Sequence, residues 1–138
     1  MRWPIPVCQH GLVNDDRVVE DVADRLFASI EAGDIDSVRA LYAPDAVVWH
    51  NGDGVEEDVE HNLSVLGWCV SHIAGMRYEQ VRRQVLAGGF VQQHILRGTG
   101  PGGAPLEVPA CLVVAVAEGR ITRIDEYLDS AHLGPLRG

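Results

Sequence analysis

The sequence predicts one α+β domain in which N-terminal helices pack against a curved antiparallel sheet. Three observations carry this. Apolar residues recur at helical spacing as far as Ala74, they run at strand spacing after Met76, and the later segments are joined by short glycine-containing turns. A meandering sheet must have one face covered, and the helices are the only cover the chain provides.

From Asp15 onward Val19, Val22, Leu26 and Ile30 mark a first helix with acids between them. Ala32-Gly33-Asp34 ends it and starts the next. Gly33 can take the left-handed conformation of a helix end, Asp34 can cap the second helix, and Pro44 stops that helix. Ala46 to His50 is a short β run, followed by the loop Asn51-Gly52-Asp53-Gly54. Glu56 to Ala74 reads as a third helix with acids in its first turn. Four strands are then expected: Arg77 to Ala87, Phe90 to Gly98, Leu106 to Ala117 and Arg120 to Asp129. Gly98 to Gly103 reads as a flexible hairpin over a pocket mouth, and Ser130 to Gly138 as a tail. Residues 1–14, with two prolines and no period, read as an arm, so the domain is placed at 15–138.

A chain of 138 residues suits one core rather than two. Its net charge of −9 argues against nucleic acid and anionic lipid as partners. Cys8, Cys69 and Cys111 form no disulfide framework and no metal-binding spacing, which fits free thiols in a reducing cytoplasm. MRWPIPVCQHG lacks the pattern of a secretory signal, and no apolar run reaches the ~18 residues of a membrane span.

Alternation assigns faces. Leu106, Val108, Ala110, Leu112, Val114 and Val116 share one face. Pro109, Cys111, Val113, Ala115 and Ala117 lie on the other, whose small apolar groups suggest a homodimer through the outer sheet face. In the last strand Ile124, Glu126 and Leu128 fall together. Glu126 is then a carboxylate between aliphatic neighbours, which needs a partner or a raised pKa. The strand holding Gln92, Gln93 and His94 has no clean face.

Leu41-Tyr42-Ala43-Pro44-Asp45-Ala46 after helix, Ala-Gly-Asp and helix, together with Ala117-Glu118-Gly119-Arg120-Ile121-Thr122 and Glu126-Tyr127-Leu128-Asp129, resembles the nuclear transport factor 2-like superfamily. That group includes ketosteroid isomerase, SnoaL-like polyketide cyclases and limonene-1,2-epoxide hydrolase. The resemblance spans about residues 15 to 138 and implies a cone-like curved sheet wrapped around three helices. It fixes no chemistry, because one fold hosts many reactions. Against the epoxide hydrolase pattern, Asn51 matches the Asn of a Tyr-x-Asn water clamp, Trp49 replaces the Tyr, Gln92-Gln93-His94 replaces Arg-x-Asp, and Glu126 stands at the second catalytic aspartate. Against the isomerase pattern, His50 stands at the general base, while Leu26 and Leu112 stand where the oxyanion donors would be. The two patterns send opposite members of Trp49-His50 inward.

These residues yield a cofactor-independent acid–base enzyme acting on an apolar small molecule. A SnoaL-like cyclase, isomerase or dehydratase is the leading expectation. An epoxide-opening enzyme with a modified site and a non-catalytic small-molecule-binding module are the alternatives. His94 is expected to move the proton, Glu126 to orient it or act as a base, and His50 to be a further base. Asn51, Trp49, Gln92, Leu112, Ile124 and Leu128 are expected to hold substrate. The scattered histidines give no local ligand motif, so neither metal nor cofactor is expected.

Overall fold

The first helix buries Val19, Val22, Ala23, Leu26, Phe27 and Ile30 along one stripe, as its spacing predicts. In the computed structural model, which describes residues 15–137, this is α1, Asp15–Glu31. The expected arm, with Cys8, lies outside the described residues. Gly33, at φ +71°, makes the turn into α2, Ile35–Leu41. Asp34 caps α2 by accepting from the Ser37 N–H at 3.1 Å and from its hydroxyl at 2.6 Å.

The third helix starts later than its acids suggested. α3 spans Val59–His72, and Asp58 is its cap, accepting from the His61 N–H at 2.9 Å. The preceding Glu56–Glu57 forms a short strand, β2, paired with Trp49 and Val48 of β1, Tyr42–His50. A cap in extended backbone fixes where the helix can begin, and that frees the two glutamates for the sheet.

β3 (Ala74–Leu86), β4 (Gly89–Thr99), β5 (Pro105–Ala117) and β6 (Arg120–Leu128) form the expected antiparallel meander. The sheet has six strands in the order β2-β1-β6-β5-β4-β3. It is not wholly antiparallel, because β1 joins β6 in parallel. No hairpin constrains this pair, since half of the chain runs between the two strands. Register shifts in β1, β3 and β5, with Gln80 at φ 54° in the second irregularity of β3, bend the sheet. α1 packs on β3 and β4, and α3 on β1 and β3, so both helices lie over the curved sheet. β4, ambiguous in sequence, buries Phe90, Gln92 and His94 and leaves Gln93 exposed. No helix among the described residues is long and apolar enough to cross a membrane.

Two expectations at the C-terminus change. Ser130–Arg137 is a 3-10 helix, and its Leu133 and Leu136 pack beside Leu106 and Val108. The turn after β4 is not part of the pocket lining. A Cβ on Gly100 would lie 2.2 Å from the Pro135 carbonyl oxygen, so this turn is a backbone seat for the terminal helix. Gly100→Ala should therefore cost about 1–3 kcal/mol, read as a lower urea midpoint. An unchanged midpoint would mean that the two backbones do not pack in solution.

Candidate active site

In β1, alternation sends Val48 and His50 inward and Trp49 outward. This settles the opposed patterns for Trp49-His50, and it corrects the expectation that Trp49 binds substrate. The Trp49 ring packs edge-on against Tyr127 at 5.3 Å and does not line the cavity. In β6, Ile124, Glu126 and Leu128 face inward, as alternation implied. The parallel register sets His50 opposite Glu126, and His50 Nε2 lies 2.9 Å from Glu126 Oε1.

This pair answers the question posed by a carboxylate among aliphatic side chains. The hydrogen bond from His50 is its partner. The same bond raises the His50 pKa, the charges of Glu126, Glu57 and Asp53 add to the rise, and burial opposes it. Glu57, which β2 pairs opposite Val48, flanks the other side of the ring. Its Oε1 is 4.0 Å from His50 Nδ1, and its Oε2 is 3.4 Å from His61 Nε2. Sequence reasoning missed Glu57 because it read the residue as helix.

The expected His94–Glu126 contact does not form. β5 stands between β4 and β6, and the registers set His94 level with Leu128 and Gln92 level with Glu126, so two strand spacings of ~4.8 Å and a two-residue offset separate the pair. His94 instead hydrogen-bonds Gln92 Nε2 through Nδ1 at 2.9 Å, and Gln92 Oε1 accepts from Arg83 Nε at 2.8 Å. Gln92 is fully buried behind His94 and is absent from the cavity wall, contrary to its expected substrate contact. Burial lowers the His94 pKa, opposed by the Glu126 charge, so its imidazole is neutral near pH 7.

The cavity holds about 500 Å³, within the ~300–1,000 Å³ usual for small-molecule sites. Leu112, Ile124 and Leu128 line it as expected, joined by Leu26 and Phe27 of α1 and by Leu133 and Leu136 of the 3-10 helix. Asn51 also lines it, but its Oδ1 accepts from the Leu128 N–H at 3.1 Å and ties the loop to β6.

Two phenols complete the polar set. Tyr42 donates to Asn62 Oδ1 at 2.7 Å. Tyr78 lines the cavity beside His94, with ring centroids 4.6 Å apart, and its hydroxyl has no side-chain partner among the described residues. Burial, with the Glu126 charge next, pushes both phenols far above their usual range, so both stay protonated. The alternation Met76, Tyr78 could have found Tyr78. Burial and then the charge of Glu126 also raise the Cys69 thiol, which leaves it a poor nucleophile. No group of three or more His, Cys, Asp or Glu among the described residues is arranged to hold a metal ion. The arrangement therefore offers a carboxylate–imidazole pair, the Tyr78 hydroxyl and the His94 imidazole in a largely apolar chamber.

His50 and His94 predict opposite pH dependences. The folded chain holds the His50 proton more tightly than the unfolded one. Its stabilisation is complete below about pH 6.5 and is lost as pH rises through the folded titration. His94 is neutral when folded, so its contribution is complete above about pH 6.5 and is lost as pH falls toward the lowered value. Glu126→Gln should flatten the alkaline limb of stability against pH and keep the acid limb, measured by urea unfolding across pH. An alkaline limb unchanged in this variant would contradict the His50–Glu126 bond.

Comparison with known proteins places this geometry. A family model described as a SnoaL-like domain matches residues 23–124, well over half of the chain. The crystal structure of IdmH, a candidate polyketide cyclase from Streptomyces antibioticus, is 26% identical with a TM-score of 0.69, covering 83% of this chain and 97% of that one. A candidate polyketide cyclase from Xanthomonas campestris pv. campestris is 14% identical with a TM-score of 0.76, covering 86% and 96%. A candidate isomerase from Bacillus subtilis is 15% identical with a TM-score of 0.75, covering 87% and 92%. No curated protein matches the sequence. The curved, unclosed six-stranded sheet and the family match agree, and the chain belongs to the SnoaL-like domain family within the nuclear transport factor 2-like superfamily.

Proposed function

We propose that the protein catalyses proton transfer next to a carbonyl of an apolar small molecule, in an isomerisation or an intramolecular cyclisation. The observation that carries this reading is the 2.9 Å Glu126–His50 pair in the wall of a largely apolar cavity. Glu126 keeps one oxygen on His50, and the other takes the proton from the carbon beside the carbonyl. The electron pair moves onto the carbonyl oxygen as an enolate. Tyr78 O–H and the free N–H of His94 are the neutral donors on hand to receive that charge. Glu126 then returns its proton to a different carbon, or the enolate carbon attacks a second carbonyl of the same molecule and closes a ring, and the alkoxide formed there takes the proton back from Glu126. His50 holds Glu126 as the carboxylate between turnovers. No step needs a cofactor.

General acid–base transfer of this kind contributes about 10²–10⁴-fold, and an aimed oxyanion donor about 10²–10³-fold. Both are more effective where water is excluded. The family match and the candidate cyclase and isomerase among the similar structures support the reading. Epoxide opening is less well supported. A water clamp would need Trp49 and Asn51 together, whereas Trp49 faces Tyr127 and the Asn51 oxygen is occupied by Leu128.

The test uses 2-tetralone, a two-ring enolisable ketone, in deuterated buffer, with loss of its α-proton signal followed by NMR. The protein should accelerate exchange over buffer. Glu126→Gln should lower the enzymatic rate about 10²–10⁴-fold and Tyr78→Phe about 10²-fold, while 2-naphthol, an enol analogue, still binds both variants. Binding of 2-naphthol in the cavity with no accelerated exchange of any enolisable ketone would replace this reading with that of a binding module.

A further inference from the structure

We propose that Gln92, backed by Arg83, is a positioning residue that fixes His94 as the neutral imidazole with its single proton on Nε2. The inference deepens the proposed function, because it makes His94 a fixed hydrogen-bond donor and not the proton carrier that its chemistry alone suggests.

A chain of hydrogen bonds runs inward from the protein surface through Arg83 and Gln92 to His94. Arg83 NH1 is held by Glu20 at 2.9 Å and Asp24 at 2.7 Å, both on α1. Its guanidinium lies 6.0 Å from the centre of the Phe27 ring and 5.7 Å from that of Phe90, which fixes its plane further. Arg83 Nε can only donate, so the Gln92 atom 2.8 Å away must be the amide oxygen. The amide nitrogen then faces His94. That nitrogen can only donate, so His94 Nδ1, 2.9 Å away, must accept with a lone pair. A neutral imidazole whose Nδ1 accepts carries its proton on Nε2. Gln92 is fully buried, so no solvent can exchange into this chain and reverse its sense. Adding a second proton to His94 would set an N–H against an N–H, beside the Arg83 cation.

The charged and titratable groups around His94 come from three elements. α1 supplies Glu20 and Asp24, both already engaged by Arg83. β3 supplies Arg83 itself and the Tyr78 phenol, whose ring meets His94. β6 supplies Glu126, whose charge opposes the effect of burial on His94. Glu20 and Asp24 are balanced by Arg83, and Glu126, whose charge favours an imidazolium, is paired with His50. Phe27 covers the ring edge-on at 5.5 Å and adds no polar atom.

The test is a two-dimensional ¹⁵N–¹H spectrum of the imidazoles in the ¹⁵N-labelled protein, followed with pH. His94 should show Nδ1 as an unprotonated acceptor and Nε2 as protonated at neutral pH, and this state should persist well below the ordinary imidazole titration near 6.5. A carboxylate at the same place can only accept, so Gln92→Glu should move the proton to Nδ1 and raise the His94 titration above that value. Arg83→Met frees the amide to rotate and should give a mixture of tautomers. A wild-type spectrum with the proton on Nδ1, or a Gln92→Glu spectrum with the tautomer unchanged, would overturn the proposal. The wild-type spectrum decides the matter even if a variant does not fold. No ketone turnover enters the measurement, so failure of the proposed reaction and failure of this positioning role are read separately.

Discussion

The parallel pairing of β1 with β6 is the constraint on which the site depends. Among the described residues it is the one parallel junction in the sheet, and its register sets His50 opposite Glu126. A shift of one residue would turn His50 to the outer face and bring Trp49 inward, leaving the half-buried Glu126 among aliphatic side chains without this partner. The pair is therefore structural and chemical at once. It gives a half-buried carboxylate its partner, and it leaves a carboxylate oxygen beside a largely apolar chamber.

The chamber exists because a curved sheet and its helices do not meet everywhere. α1 and α3 cover the sheet, the bulges of β3 bend it, and the terminal 3-10 helix seated on Gly100 supplies part of the wall. The core around this chamber carries polar groups that a minimal core would avoid. Gln92, Asn62 and His94 are buried, and each is matched to a specific neighbour: Arg83, Tyr42 and Gln92 respectively. Such groups cost stability unless every bond is made, which is the behaviour expected of a preorganised site and not of a packed interior.

The helices, the order of the strands along the chain, and the inward set Leu112, Ile124, Glu126 and Leu128 were all legible in the sequence. They follow from local periods of 3.6 and 2. The direction of His50 was not, since family patterns gave opposite answers and only the tertiary pairing with β6 decides between them. The expected His94–Glu126 contact failed for a related reason. Alternation shows that two residues share a face but not how many strands separate them, and β5 lies between. Glu57 was hidden by its run of acids, which reads as a helix start until Asp58 is seen to be the cap. Arg83 and Gln92 sit opposite each other on adjacent strands, a pairing set by the register after an irregularity in β3. No period in the sequence encodes that register.

The central claim is that the Glu126–His50 pair and the Tyr78 and His94 donors face one and the same ligand. A crystal structure of the protein with 2-naphthol bound tests this most directly. The phenolic oxygen should lie within hydrogen-bond distance of Tyr78 or His94, with the adjacent ring carbon turned toward Glu126. A ligand seated on the outer sheet face, or lying in the cavity with its oxygen against the aliphatic wall, would contradict it.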